Sequence, residues 1–156
     1  MNTKRRTFLK SSAAASAVGI AVTAGLITPR SVFAAWPSAA FEATDVNAAI
    51  KSTFGDGAVT ESSDIKVKAP DIAENGAVVP ITVTSNIAGT SSISVLVSKN
   101  NTPLAASFQL GANTEGFVST RIKMSQTSDV VVVVKAGGKL YSAKKEVKVT
   151  IGGCGG

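Results

Sequence analysis

Histidine is absent from the 156 residues, and cysteine occurs once, as Cys154. The first absence excludes a Ser/His/Asp triad, a Cys/His nucleophile pair and any histidine metal site. A single cysteine makes neither a CxxC redox pair nor a zinc knuckle. Aromatics are few, with one Trp, one Tyr and six Phe, so no interleaved stacking platform for nucleic acid is present. The ten acids are scattered; Asp64 and Asp71 are the one pair that could meet in space, and each reads as a solvated loop residue. No glycine run feeds a helix, as a phosphate loop must, because the densest one, Gly152-Gly153 and Gly155-Gly156, ends the chain. Little is left for an enzyme to use.

The N-terminus carries most of the positive charge. Lys4-Arg5-Arg6-Thr7-Phe8-Leu9-Lys10 is a twin-arginine export signature, although Lys4 stands where the consensus prefers Ser or Thr. A weakly apolar, Ala-rich run from Ser11 to Thr28 follows, and Val32-Phe33-Ala34 offers a small-residue cleavage site. Its Ala, Ser, Thr and Gly make that run a poor membrane anchor, so residues 1–34 are expected to be a cleaved signal and the protein to be periplasmic, without a membrane anchor. Removing 34 residues from 156 leaves 122, enough for one domain with one core. Five of the 16 basic residues leave with the signal and all 10 acids stay, so 11 cations face 10 anions and the net charge falls to +1. The basic character belongs to the signal, which argues against nucleic acid as a partner.

After a loose leader over residues 35–40, Val46, Ala49, Ile50 and Phe54 recur at helical spacing. Thr44 is the expected N-cap, Gly55 the stop, and the helix a lid over one edge of a sheet. The period then switches to two. Strands are expected at Ile65–Ala69, Val79–Thr84, Ile93–Val97, Leu104–Leu110, Val118–Met124 and Val130–Val134, with Gly137-Gly138 turning the chain into a last arm, Lys139 to Ile151. Glu74-Asn75-Gly76 supplies a turn, and Pro80, which lacks a backbone donor, belongs at an edge or at the beginning of paired structure. Val130 to Val134 is apolar on both faces, which suits the most buried strand or a place where two surfaces meet. About seven short strands with no second helix to cover a parallel sheet predict an all-β fold: an antiparallel, immunoglobulin-like β-sandwich over residues 35–151, with a short N-terminal helix. The Cys-Trp-Cys pattern of antibody domains is missing, so the core must rest on Val and Ile.

Gly152-Gly153-Cys154-Gly155-Gly156 ends the chain beyond Val147, Val149 and Ile151, which alternate as a strand. Residues 152–156 are expected to form a flexible arm, because glycine opens nearly the whole backbone map. Fully extended, Gly152 to Cys154 would carry the sulfur about 10 Å beyond the strand. An exposed thiol in an oxidising compartment invites unwanted disulfides, so a chain that keeps its one cysteine at its most accessible position is expected to use it. No basic side chain adjoins Cys154 in sequence and the terminal carboxylate is two residues away, so nothing local favours the thiolate. That suits a carrier that is inert in transit. Lys144, Lys145 and Lys148 could lie near the arm's base and attract anions, against the ordinary reading of solvated strand charges.

The ending Val149-Thr150-Ile151-Gly152-Gly153-Cys154-Gly155-Gly156, with Asp71-Ile72-Ala73-Glu74-Asn75-Gly76-Ala77-Val78-Val79-Pro80, closely resembles the SoxY family of sulfur carriers in bacterial thiosulfate oxidation. The resemblance covers essentially the whole mature chain. It implies that Cys154 accepts thiosulfate oxidatively and that Gly152, Gly153, Gly155 and Gly156 form the swinging arm. The protein would not itself be an enzyme and would hold no cofactor besides the bound sulfur. It further implies a SoxZ-like subunit as stable partner in a heterodimer or higher assembly, and transient contact with SoxAX-, SoxB- and SoxCD-like enzymes: a c-type cytochrome complex, a sulfate-releasing hydrolase and a sulfur dehydrogenase. Two other classes fit parts of the sequence. One is an exported structural or adhesive sandwich dimerised by its cysteine. The other takes Gly155-Gly156 as the activatable diglycine of ubiquitin-like carriers, which needs cytoplasmic adenylation and conflicts with an export signal.

Overall fold

The computed structural model describes residues 37–151; the expected signal segment 1–34 and the arm 152–156 lie outside the described residues. Two helices, α1 (Ser38–Glu42) and α2 (Val46–Phe54), come first. The strands follow as β1 (Val59–Glu61), β2 (Ile65–Lys68), β3 (Ile72–Ala73), β4 (Val79–Ser85), β5 (Thr90–Val97), β6 (Leu104–Gln109), β7 (Phe117–Ile122), β8 (Ser128–Ala136) and β9 (Lys139–Val149). A larger sheet has the order β1-β9-β8-β5-β6, with β3 also pairing β9, and a smaller sheet has the order β2-β4-β7. The sandwich core lies between them. All seven expected strands are present.

Alternation decides which side chains enter that core. Ile93, Val95 and Val97 of β5 stand opposite Val134, Val132 and Val130 of β8, and all six are fully buried against Val79, Ile81 and Val83 of β4. The intervening residues of the same two strands face the other way, where Leu96 and Val133 join Ala40, Ala49 and Leu104 in a second apolar cluster beneath the helices. The doubly apolar run at Val130–Val134 therefore serves two surfaces at once, as its sequence suggested. Three layers result: helices, large sheet, small sheet.

The helical end departs from expectation in three ways. Residues 38–42 form α1 instead of a loose leader, because Ala40 is fully buried in the second cluster. The N-cap of α2 is Asp45 rather than Thr44: its carboxylate accepts from the Ala48 N–H at 3.0 Å, and a negative charge there also suits the helix dipole. Finally, the helices cover the outer face of the large sheet and not an edge, since Leu96 and Val133 project from its middle strands. The stop at Gly55 holds, with its N–H donating to the Lys51 carbonyl at 2.8 Å.

The strand pattern also needs amendment. β1 and β3 are additional, and both pair with β9 in parallel, so the sandwich is not wholly antiparallel. With three and two residues they are too short to show a period, and long-range pairing creates them. Pro80 lies near the start of β4, where β7 pairs on one side and the β2 register has not yet begun, which meets the expectation for a residue without an N–H. Gly137 and Gly138 both have positive φ, at 55° and 78°, the geometry of a tight two-residue hairpin between β8 and β9.

Gly116 is required for a different reason. A Cβ there would lie 2.6 Å from the Ser85 carbonyl oxygen, which is backbone and cannot swing aside. Gly116→Ala is therefore expected to cost about 1–3 kcal/mol in urea unfolding, in the range of an overpacked site. A cost below about 0.5 kcal/mol would show that the β4–β7 end relaxes freely.

Candidate functional site

Val147 is fully buried and is the last β9 residue with a partner on β8, Ser128. Beyond it the large sheet has run out on that side, and an unpaired strand would fray. Two devices prevent this. The Thr127 hydroxyl accepts from the Val149 N–H at 2.9 Å, standing in for the missing strand. On the opposite side, the segment 71–76 forms a clasp along the strand's end: Lys148 N–H donates to the Asp71 carbonyl at 3.0 Å, and Thr150 N–H to the Ala73 carbonyl at 3.1 Å. The Thr150 hydroxyl donates to the Glu74 carbonyl at 3.0 Å, and the Ile151 carbonyl accepts from Gly76 N–H at 2.8 Å. The main chain is thus held up to its last described residue.

The clasp is itself braced. Asn75 accepts from Ala77 N–H through its side chain at 2.8 Å, an Asx turn that shapes the loop. The Gly76 carbonyl accepts from Met124 N–H at 2.7 Å, and Met124 is fully buried, so the loop is tied to the core. The two stretches that carry the sequence resemblance, 71–80 and 149–156, are therefore neighbours in space through residue 151. Turn chemistry revealed the loop at Glu74-Asn75-Gly76, but no periodic signal could show that it holds the C-terminal strand, because the contact joins residues 75 positions apart. Thr127 was missed for the same reason.

Thr127→Val keeps the shape and removes the acceptor, leaving a part-buried N–H at Val149 without a partner. The expected cost is about 1–2 kcal/mol, with faster hydrogen exchange at Val149 than at Val147. Unchanged exchange at Val149 would show that the hydroxyl contributes nothing.

Lys144, Lys145 and Lys148 divide between the two faces of β9. Lys145 pairs with Asp71 at 3.0 Å and so belongs to the clasp. Lys144 and Lys148 lie on the opposite, exposed face of β9 from Lys145, with Glu146 between them. Asp64 and Asp71 do not meet, since they flank opposite ends of β2. Among the described residues there is no cluster of three or more potential metal-ligating side chains, and no helix is long and apolar enough to cross a membrane. Cys154 and Gly152, Gly153, Gly155 and Gly156 lie outside the described residues.

What the described residues define is an immunoglobulin-like β-sandwich whose last strand is clamped at its end, five residues before the chain terminates. The chain belongs to the SoxY family: the family model, described as sulfur oxidation protein SoxY, matches residues 50–154 and so reaches Cys154. Among solved structures, the sulfur carrier protein SoxY from Chlorobium limicola f. thiosulfatophilum is 48% identical, covering 67% of this chain and 96% of that one, with a TM-score of 0.62. A chain from a structure described as the structural basis of T cell specificity and activation by the bacterial superantigen toxic shock syndrome toxin-1 is 12% identical over 55% of this chain and 98% of that one, with a TM-score of 0.40, and supports no argument about fold or function. No curated protein gives a match.

Proposed function

We propose that this protein is a covalent carrier of sulfur intermediates in thiosulfate oxidation, with Cys154 as the attachment point and Gly152, Gly153, Gly155 and Gly156 as the arm. The observation that carries this reading is the family match running to the lone cysteine of a chain that has no histidine. The solved relative, at 48% identity, is described as a sulfur carrier. In the proposed cycle the Cys154 thiol and thiosulfate join in a new sulfur–sulfur bond, releasing one proton and two electrons to a c-type cytochrome complex of SoxAX type. Water then cleaves the terminal sulfonate as sulfate in a SoxB-type hydrolase, leaving a persulfide on Cys154. A SoxCD-type dehydrogenase oxidises that remaining sulfur to a sulfonate while it stays attached, with water supplying the oxygens and a c-type cytochrome taking the electrons. A second hydrolysis releases it as sulfate and returns the Cys154 thiol.

Each feature of the chain has a role in this scheme. The clamped strand gives the arm a fixed origin, so partners meet the cargo at a defined place. Side-chain-free neighbours let the thiol enter a narrow channel, and tethering replaces a dilute intermediate by one delivered at high local concentration. Residues 1–34 act as a twin-arginine signal that exports the folded protein to the periplasm with a SoxZ-like subunit, and no cofactor is needed. The test is intact-mass analysis of the mature protein after exposure to thiosulfate and the host's thiosulfate-oxidising cytochrome. The expected adduct adds one S2O3 unit to the neutral mass, and deletion of Gly156 leaves it in place. Loss of loading on that deletion would favour chemistry at the terminal diglycine instead.

A further inference from the structure

The outward face of the smaller sheet carries charge of one sign. Its rows, read across β2, β4 and β7, are Lys66, Thr84 and Phe117, then Lys68, Thr82 and Ser119, with Pro80 and Arg121 completing a third. The Thr82 and Ser119 hydroxyls lie 3.3 Å apart, which places both on this face. Lys66, Lys68 and Arg121 are exposed, and none of them is in a salt bridge among the described residues. No strand residue of the face is acidic; Asp64 and Glu115 lie beyond the strands at one end, and Asp71, which pairs with Lys145, and Glu74 lie in the clasp at the other. Unlike the outer face of the large sheet, which the helices cover, this one has no covering element among the described residues, and Phe117 is 51% exposed, with Val78 53% exposed at the other end.

That other end is also where the last described residue, Ile151, lies. β2 finishes there at Lys68, β7 at Ile122 followed by exposed Lys123, and β4 begins there after Val78. Through Gly76, which accepts from Met124 N–H and donates to the Ile151 carbonyl, the same end is hydrogen-bonded to the last described residue. A protein bound on this face would sit beside the origin of the arm.

We propose that this face is a transient docking surface for a folded protein bearing an acidic patch beside a pocket that admits the Cys154 thiol. The proposal rests on the carrier reading above. Unpaired cations with no strand-borne acid attract such a patch over a Debye length of about 8–10 Å, and Val78, Pro80 and Phe117 supply apolar contact once it arrives. Size argues for a short-lived complex. Six residues of β7 span about 20 Å and three strands about 14 Å, a patch on the order of 300 Å², well below the about 800 Å² per partner of a stable interface. A carrier that must visit one enzyme after another needs a surface of this kind.

The experiment measures the second-order rate of thiosulfate loading, by intact mass, on the mature protein with its co-purifying partner subunit and the host's purified c-type cytochrome complex, across a salt series. Wild type is compared with the triple variant Lys66→Glu, Lys68→Glu, Arg121→Glu. A control reverses Lys135, Lys139 and Lys144 on the large sheet, changing net charge equally. The expected result is a tenfold or greater loss for the small-sheet variant at low salt, with its salt dependence abolished or inverted, while the control stays within about threefold of wild type. Equal losses in both variants, or none in either, would overturn the proposal. Loss of the co-purifying subunit from the small-sheet variant would also overturn it, by assigning the face to a permanent interface. Failure of wild type to load at all would instead refute the carrier reading, and the docking proposal would fall with it.

Discussion

Cys154→Ser is expected to abolish the sulfur adduct and reduce thiosulfate oxidation by the reconstituted system to background, a loss greater than about 100-fold. The hydroxyl of serine is far harder to ionise than a thiol and a far weaker nucleophile toward sulfur, so no bond to the cargo forms. The substitution lies three residues beyond the last clamped residue, Ile151, so thermal stability should stay within about 0.5 kcal/mol of wild type. That separation makes the result interpretable, because activity disappears from a protein that still folds. A disulfide-linked dimer would also be lost in this variant, so the reduced wild-type monomer must be measured beside it. Under the carrier reading the reduced monomer loads and the dimer does not. Oxidation supported by the serine variant, or confined to the wild-type dimer, would contradict the assignment of Cys154.

Leu96→Ala is expected to produce the largest stability loss among single core truncations outside the sandwich centre. Leu96 is 1% exposed and sits between the large sheet and the helices, where it clusters with Ala40, Ala49, Leu104 and Val133. Removing it creates a cavity that two short helices must fill by shifting, at a cost of about 2–5 kcal/mol. For a domain of this size that corresponds to a fall in Tm on the order of 10 °C. Limited proteolysis should then cut within residues 37–58 before it reaches the strands. A drop of only a degree or two, with the helical segment still protected, would mean that the helices are held by something other than this cluster.

How much was legible beforehand follows from which interactions are local. The seven longer strands were visible because burial on one face imposes a period of two, and Ile93, Val95 and Val97 state that period without ambiguity. The hairpin at Gly137-Gly138 was equally clear, since only residues tolerant of positive φ make that turn. β1 and β3 were invisible. Each exists because β9 offers an edge, and neither has enough residues to announce a pattern. The helix was found from Val46, Ala49, Ile50 and Phe54, but its cap was placed one residue early, because Thr44 and Asp45 are both good capping residues and only geometry selects between them.

The chain order alone determined that a lone thiol follows a β domain by a few glycines, and that no histidine or second cysteine is available for chemistry near it. It also determined the class of fold, because alternating valines and isoleucines leave few ways to bury themselves. Only the tertiary structure decided that the loop at 71–76 grips the final strand, that Lys145 is held by Asp71, and that Lys66, Lys68 and Arg121 share one uncovered face. The physical reason is common to all three. Each depends on which strands become neighbours, and that is set by the packing of two whole sheets against each other, a property that no window of consecutive residues contains.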